Sequence, residues 1–314
     1  MTANKDSDSA VRTLVDRRAG DVVGAYLREQ VDVVLFQEGR VRHREPDALR
    51  RLRVGVRRLR SGLEAFPRFL DAEHARFVVA ELCWFNTMLG DARDLEMVQA
   101  RLNGQIALVP SDLVRGPVAA RADTFFSGRR IELHERVVST LDSSRQAALH
   151  VAMERIFEHS SPDASLSAAA ALPGEVARSY RRLESRMAAV AEYRHPGPER
   201  DEALHDVRKA AKCVWDASMA AAQVCGRPAV RFGKQMRDLQ RFLGVHQDSV
   251  VCRRLLRALS DEAEQHGESA FTYGLLYARE EHRAHDVEHG LPGEWRQRTR
   301  PKHRQWLTPT RAHP

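Results

Sequence analysis

The sequence predicts an all-α protein made of two duplicated halves related by a pseudo-two-fold axis, and three observations support this. Apolar residues recur at helical spacings along most of the 314-residue chain, and no segment keeps the two-residue alternation of a half-buried strand. Glycine and proline mark the breaks between the helical segments. A block near residue 49 returns in altered form near residue 204, which fits a chain long enough for two related halves.

The predicted helices follow one another in each half. Those of the first half span residues 22–36, 48–66, 73–89, 118–141 and 145–157. Those of the second half span residues 175–193, 202–224, 229–242, 249–265 and 269–288. The small and polar stretch between the halves indicates a connector. The resulting division is a disordered N-terminus at 1–10, a first helical repeat at 11–159, a linker at 160–174, a second helical repeat at 175–289 and a flexible basic tail at 290–314.

The composition favours an anionic partner. The formal net charge is +7, the calculated pI is about 9.6, and only five of the 50 basic residues are lysines. The planar fork of arginine can hold two phosphate oxygens at once. The four cysteines form no CxxC pair, which argues against structural zinc and a disulfide framework. Neither a run of about 18 apolar residues nor a secretory signal is visible, so we expect a soluble, cytoplasmic protein without membrane contacts.

Two parallel stripes run along the predicted helix at 48–66. The apolar stripe, which must be buried, consists of Leu49, Leu52, Val56, Leu59, Leu63 and Phe66. The cationic stripe follows one position later, about 100° around the helix, and consists of Arg50, Arg53, Arg57 and Arg60. Glu64 is the main acid at pairing distance, so we expect the row to keep most of its charge. Arg51 and Arg58 lie on a further face and are interpreted as general surface charge or secondary contacts.

An internal repeat argues that the cationic stripe is functional. A shift of 155 residues pairs Leu49, Arg50, Arg53 and Arg57 with Leu204, His205, Arg208 and Lys212. A shift of 154 pairs Leu89, Gly90 and Asp94 with Leu243, Gly244 and Asp248. A solvated helix face with ion pairs is the alternative for any isolated basic run, but chance matches do not share an offset. We therefore expect the two basic helices to converge on one surface.

Further residues complete the predicted surface and its helix ends. Lys234, Arg237 and Arg241 repeat the spacing of three and four and form a row of second rank. A proline-containing break precedes each basic helix, and Asp47 and Asp201 are the predicted N-caps. Asp94 and Asp248, each four residues after a glycine, are assigned structural roles near helix starts.

Two pairs of motifs resemble the CHAD family, the conserved histidine α-helical domain. They are LRRLRVGVRRLRSGLEAF with LGDARDLEMV in the first half, and LHDVRKAAKCV with LQRFLGVHQDSV in the second. The resemblance covers roughly residues 15 to 285. It implies two four-helix-bundle-like halves and a basic surface or groove that binds inorganic polyphosphate without a catalytic reaction.

The sequence departs from the family pattern in both basic helices. The family places histidine at both equivalent positions, whereas this chain has Arg50 at the first and His205 at the second. Arginine keeps the positive charge and makes it permanent. Cys213 and Trp215 stand where further arginines are common in the family. We therefore expect the first half to contribute more of the binding energy.

The predicted function is non-enzymatic binding of inorganic polyphosphate in the cytoplasm. Polyphosphate granules are a candidate location, and recruitment to them is left open. The predicted contacts are Arg50, Arg53, Arg57, Arg60, His205, Arg208, Lys209, Lys212, Lys234, Arg237 and Arg241. No catalytic residue, metal or cofactor is predicted, because the sequence has no GxxxxGK[ST], GxSxG or HExxH motif. A nucleic-acid-binding helical protein is the first alternative. Weak nucleic-acid binding is also compatible with a polyphosphate-binding protein. The second alternative is a polyphosphate- or triphosphate-processing enzyme. The oligomeric state is left open.

Overall fold

The computed structural model describes residues 17–158 and 161–308, and these residues form an all-α fold. The helices are α1 Ala19–Arg42, α2 Ala48–Ala65, α3 Ala72–Ile106, α4 Val118–Leu141, α5 Ser144–Arg155, α6 Ala168–Ala189, α7 Pro198–Cys225, α8 Arg227–Gln265, α9 Phe271–Arg298 and α10 Pro301–Arg304. Short 3-10 turns lie at Pro67–Phe69, Ser111–Leu113, Pro162–Ser165, Val190–Glu192 and Gln305–Leu307. No strand occurs in the described segments, so the predicted fold class is confirmed. None of the helices searched there is both long and apolar enough to cross a membrane.

The chain forms two compact units that do not follow the order of the sequence. The first consists of the described residues of Met1–Asn86, Ser144–Gln240 and Glu294–Pro314. The second consists of Thr87–Ser143 and Arg241–Gly293. Each unit thus takes segments from both predicted repeats, and helices α3, α8 and α9 contribute to both units. The repeat boundaries and the pseudo-two-fold axis stay predictions, and the N-terminus at 1–10 lies outside the described residues.

The first unit is built around the helix that carries the arginine row. Leu52, Val56 and Leu59 of α2 are completely buried, as their spacing predicts. Helix α2 packs against α1 and against α7. The approach to α1 is close, because a Cβ atom at Gly62 would lie 2.8 Å from Cδ2 of Leu27. Helix α2 ends before Pro67, since proline disfavours helical geometry in the preceding residue.

The second unit has its own apolar core and a buried polar network. Its core includes Leu102 of α3, Phe126 of α4 and Leu256 of α8. Glu280 of α9 is completely buried, and Nη2 of Arg101 donates a hydrogen bond to its Oε2 at 2.6 Å. Burial raises the pKa of Glu280, but the hydrogen bonds and charge of Arg101, together with two further side-chain hydrogen bonds, lower it by more. The pKa therefore lies below its ordinary value of 4.5.

Several helix ends differ from the sequence-based expectation. Helices α3 and α8 run without a break through Gly90 and Gly244, so Asp248 lies inside a helix and not near a helix start. The side chain of Asp94 lies outside the described residues. A single glycine in a helix costs about 1 kcal/mol, and the burial of neighbours such as Leu89 offsets that amount.

The predicted linker and tail are helical over much of their length. Helix α6 begins at Ala168, within the expected connector, because an alanine-rich stretch has high helix propensity and its Leu172 is buried. Helix α9 continues to Arg298, and the turn after α10 buries Leu307. The ring of Trp306 contacts Phe232 at a centroid distance of 6.1 Å. The segment up to residue 308 is therefore packed, in contrast to the expected flexible tail.

The predicted N-caps are also corrected. Asp47 precedes α2 with a left-handed φ of 61° and makes no capping hydrogen bond. Its carboxylate accepts a hydrogen bond from Nε of Arg50 at 3.1 Å. Asp201 lies inside the first turn of α7, which begins at Pro198 after an N-cap at Gly197. Proline suits this first position because its missing N–H would have no helical partner there.

Candidate functional site

The two basic helices of the first unit, α2 and α7, lie against each other. Their cationic side chains flank the buried seams, as the helical spacing requires. Most of them are half-buried, namely Arg53, Arg57, Arg60, His205, Arg208, Lys209 and Lys212. Arg50 is exposed at the start of α2. The structure therefore brings the predicted residues of both basic helices into one unit.

Arg57 lies at the centre of this arrangement. The pKa of its guanidinium is lowered from 12.5 to about 10, first by burial and then by the charges of Arg53 on the same helix and Arg208 on α7. Within the described part of the chain, no carboxylate lies within ion-pair distance of Arg57, and its buried Nε has no hydrogen-bond partner. It thus remains cationic at neutral pH, and the like charges of Arg53 and Arg208 outweigh the opposing effect of Asp216. This arrangement favours an incoming anion.

Lys212 differs from Arg57, because a buried acid holds it. Its Nζ donates a hydrogen bond to Oδ1 of Asp216 at 2.6 Å, and Asp216 is only 2% exposed. Burial lowers the pKa of Lys212 and raises that of Asp216, while the attraction between them opposes both changes. The charge of Lys212 is therefore largely balanced by Asp216, a pairing that the sequence analysis did not predict. The spacing of four residues between the partners is a signal that the sequence already contained.

Acids also partner other predicted residues. Nζ of Lys209 lies 2.6 Å from Oδ1 of Asp206. Nε of Arg60 lies 3.6 Å from Oε1 of Glu64, which confirms the predicted pair. Burial lowers the pKa of Arg60, but the charge of Glu64 together with the thiols of Cys83 and Cys213 raises it by more. These cations are thus partly neutralised, and an anion would compete with the carboxylates for them.

A cavity of about 730 Å³ opens beside the end of the arginine row. Its wall combines cations, acids and thiols, namely Arg60, Glu64, Cys83, Arg182, Arg186, Asp206, Lys209 and Cys213. Arg182 and Arg186 belong to α6 and were missed by the sequence analysis, although their spacing of four residues places them on one helical face. Burial, followed by the charge of Glu64, raises the pKa of the Cys213 thiol to about 12. This thiol is therefore protonated at neutral pH.

The third predicted row lies on α8 and is divided between the units. Lys234 is exposed and Arg237 is half-buried, and both belong to the first unit. Nε of Arg237 lies 3.8 Å from Oδ1 of Asp238. Arg241 belongs to the second unit, as the first residue of its segment Arg241–Gly293, and is exposed. The candidate site therefore consists of residues of the first unit, and Arg241 is not among them.

Arg58 is a further cation that the sequence analysis undervalued. It is half-buried, and its guanidinium carbon lies 5.9 Å from the ring centroid of Trp215 on α7. Its charge also lowers the pKa of Asp216, against the larger effect of burial. Arg58 therefore faces α7. Its neighbours come from another helix, and no spacing within α2 could have indicated them.

The helical fold and the clustered cations of α2 and α7 define the class as an α-helical protein with a basic surface. The chain belongs to the CHAD family, because residues 25–257 match the CHAD domain. The motif resemblance found in the sequence is thereby confirmed.

Similar proteins and structures agree with this assignment. The uncharacterized proteins MT2285 and Rv2226 of Mycobacterium tuberculosis are each 31% identical over 262 residues, covering 83% of this chain and 50% of theirs. The chain thus spans about half the length of these curated relatives. PptA from Streptomyces chartreusis matches with a TM-score of 0.69 and 20% identity, covering 89% of this chain and 99% of that one. The CHAD domain from the plant Ricinus communis matches with a TM-score of 0.69 and 22% identity, covering 89% and 92%. Both structures support the fold.

Proposed function

We propose that the protein binds inorganic polyphosphate through the cationic side chains of α2 and α7, with Lys234 and Arg237 of α8 as secondary contacts. The main support is Arg57, a half-buried guanidinium surrounded by like charges and without an acidic partner in the described segments. Polyphosphate carries regularly repeated negative charge and no bases. A row of arginines can therefore grip successive phosphates without reading a sequence.

The contacts of each cation rank their expected contributions. Arg57 gives up no ion pair when it meets a phosphate, so we place it at the centre of the interaction. Lys212 and Lys209 must leave or share the carboxylates of Asp216 and Asp206. Exchange of one anion for another yields less free energy than the pairing of a cation that has no partner. We therefore expect substitutions at Arg57 to weaken binding more than substitutions at Lys209 or Lys212.

We further propose that binding occurs without a chemical step. Phosphoryl transfer needs carboxylates that hold metal ions or a positioned nucleophile in addition to cations. The acids beside the site, Asp206, Asp216 and Glu64, form ion pairs with its own cations. Incubation of the protein with polyphosphate and Mg²⁺ or Mn²⁺ should release no orthophosphate. Release above the level of the free metal would identify a processing enzyme instead.

A salt-dependent titration tests the binding proposal. Polyphosphate of defined length is titrated against the wild type and the double variant Arg53→Glu/Arg57→Glu at several salt concentrations. Each cation that displaces a counterion steepens the decrease of affinity with salt. The double variant should lose most of the affinity and show a shallower salt dependence. Near-UV and far-UV circular dichroism check that it remains folded.

A matched variant separates the contribution of the site from the effect of net charge on binding. Arg155 and Arg296 are exposed arginines of the first unit outside the predicted rows, and Arg155→Glu/Arg296→Glu changes the net charge by the same amount. This control should bind almost as the wild type does. Equal losses in both double variants would reduce the interaction to nonspecific charge. A competition assay compares duplex DNA with polyphosphate at equal phosphate concentration. If the DNA competes for the protein equally well, the nucleic-acid alternative is favoured.

A further inference from the structure

Trp215 of α7 has cations from three helices around its indole ring. Nζ of Lys212, one turn earlier on the same helix, lies 4.5 Å from the ring centroid. The guanidinium carbons of Arg58 on α2 and Arg237 on α8 both lie 5.9 Å from it. Cations within about 6 Å of an aromatic face are attracted by its quadrupole. The ring is therefore the point at which the cations of α2, α7 and α8 meet.

The ring is held in place by close helix packing. A Cβ atom at Gly233 of α8 would lie 3.1 Å from Cβ of Ser218 and 3.5 Å from Cδ1 of Trp215. Glycine thus allows α8 to approach α7 beside the indole. The ring is half-buried. A ring fixed by packing presents a defined surface to the cations around it.

A ring and a carboxylate hold cations with different consequences. Asp216 binds Lys212 and neutralises it, and Asp238 lies 3.8 Å from Arg237. The indole is uncharged, so it restrains a guanidinium without cancelling its charge. Arg58 has no acidic side chain within ion-pair distance in the described residues and contacts the ring. Its charge therefore stays available to a ligand.

The predicted repeat assigns Trp215 an equivalent position in the first half. The shift of 155 residues pairs Trp215 with Arg60, and the shift of 154 pairs Arg237 with Cys83. In the first half, Nη1 of Arg60 lies 3.7 Å from Sγ of Cys83, and Glu64 balances its charge. In the second half, an aromatic ring and an arginine occupy the equivalent positions. The predicted repeat thus places an aromatic ring, with cations around it, where the first half has an arginine.

We propose that Trp215 is a positioning residue for polyanion binding, which holds Arg58, Lys212 and Arg237 as one cluster and extends the binding surface from α2 and α7 onto α8. Arg58 and Arg237 contact the phosphates in this arrangement. The inference rests on the proposed polyphosphate binding. It assigns a phosphate contact to Arg58 and a positioning role to Trp215, neither of which belongs to the set predicted from the sequence.

Three tryptophan variants test this role. Trp215→Leu removes the ring and retains an apolar side chain, and Trp215→Phe keeps a smaller aromatic face. Trp84→Leu is the matched control, because Trp84 is also half-buried in the first unit and holds Arg145 at 4.0 Å. Affinity for polyphosphate of defined length is measured at several salt concentrations. We expect Trp215→Leu to weaken binding about tenfold and flatten the salt dependence, Trp215→Phe to be intermediate, and Trp84→Leu to match the wild type.

A double-mutant cycle separates positioning from a merely structural role. Arg58→Ala should weaken binding in the wild type and have little further effect in Trp215→Leu, because the ring acts through the arginine. Additive effects of Arg58→Ala and Trp215→Leu would overturn the inference, as would equal affinities of Trp215→Leu and Trp84→Leu. If Trp215→Leu does not fold, the same cycle with Trp215→Phe decides. Absence of binding by the wild type would refute the proposed function itself, whereas wild-type binding with no effect at Trp215 would refute only this inference.

Discussion

Replacement of Arg57 by methionine should make the protein more stable and a weaker polyanion binder. Methionine fills most of the space of the arginine stem and carries no charge. The pKa of Arg57 is lowered from 12.5 to about 10 by burial and by the charges of Arg53 and Arg208. Each pKa unit corresponds to about 1.4 kcal/mol, so the folded state disfavours the charged guanidinium by about 3 kcal/mol. Because water screens a half-buried group, we expect Arg57→Met to gain only about 1 to 2 kcal/mol in the free energy of unfolding.

The assay combines unfolding with binding. Urea unfolding of the ligand-free protein at pH 7, followed by circular dichroism, gives the transition midpoint of each variant. The same preparations are titrated with polyphosphate. Arg57→Met should unfold at a higher urea concentration than the wild type and bind with lower affinity. Such opposite changes are typical of residues retained for function at the expense of stability.

The neighbouring arginine provides the control for this experiment. Arg60 lies one turn later on α2. Burial lowers its pKa, but Glu64 and the neighbouring thiols Cys83 and Cys213 together hold it above the ordinary value. Arg60→Met removes an ion pair and leaves Glu64 without its partner, so it should not raise the midpoint. The reasoning is refuted if Arg57→Met is destabilising to the same degree as Arg60→Met. It is equally refuted if Arg57→Met is more stable but binds polyphosphate as the wild type does.

Three further changes test the seam, the buried acid and the second unit. Leu52→Ala should lower the free energy of unfolding, measured with urea, by about 2 to 5 kcal/mol. Leu49 is only half-buried, so Leu49→Ala should lower it by less. Equal losses in the two variants would contradict the assignment of the seam. Asp216→Asn removes the anion that competes for Lys212, so affinity for polyphosphate at low salt should rise while the thermal midpoint of the ligand-free protein falls; unchanged affinity would show that Lys212 makes no contact. The folded pKa of Glu280 lies below 4.5, so its contribution to stability is complete above that pH and is lost as the pH falls through the folded pKa. Unfolding midpoints measured between pH 6 and 3 check this. The midpoint of a Glu280→Gln variant should fall less steeply with pH than that of the wild type.

The apolar periodicity of the chain was sufficient to predict most helices and the seam of α2. Leu52, Val56 and Leu59 are buried as predicted, and Leu49 is less buried because it lies in the first turn of the helix. The breaks at Gly90 and Gly244 were wrong, because the intrinsic penalty of one glycine is small compared with the burial of neighbouring side chains. Local propensity does not contain that tertiary contribution.

The sequence also indicated which helices carry the site, but not the partners of each cation. The spacing between Lys212 and Asp216 could have predicted their ion pair, although not the burial of the acid. The contact of Arg58 with Trp215 joins residues that are 157 positions apart on different helices. No periodicity within one helix can predict such a contact. Residues of this kind become visible only when the packing of α2 against α7 is known.

The different partners of the cations determine how an anion would affect the molecule. An anion at Lys212 must share the ammonium group with the buried carboxylate of Asp216, so it gains little electrostatic energy there. An anion beside Arg57 relieves repulsion from Arg53 and Arg208 that the ligand-free protein contains. Any ligand that binds only the folded state stabilises it, and the relief at Arg57 adds to its affinity. Bound polyphosphate should therefore raise the thermal midpoint of the wild type more than that of Arg57→Met at equal ligand concentration. A larger increase for Arg57→Met would show that the centre of the interaction lies elsewhere.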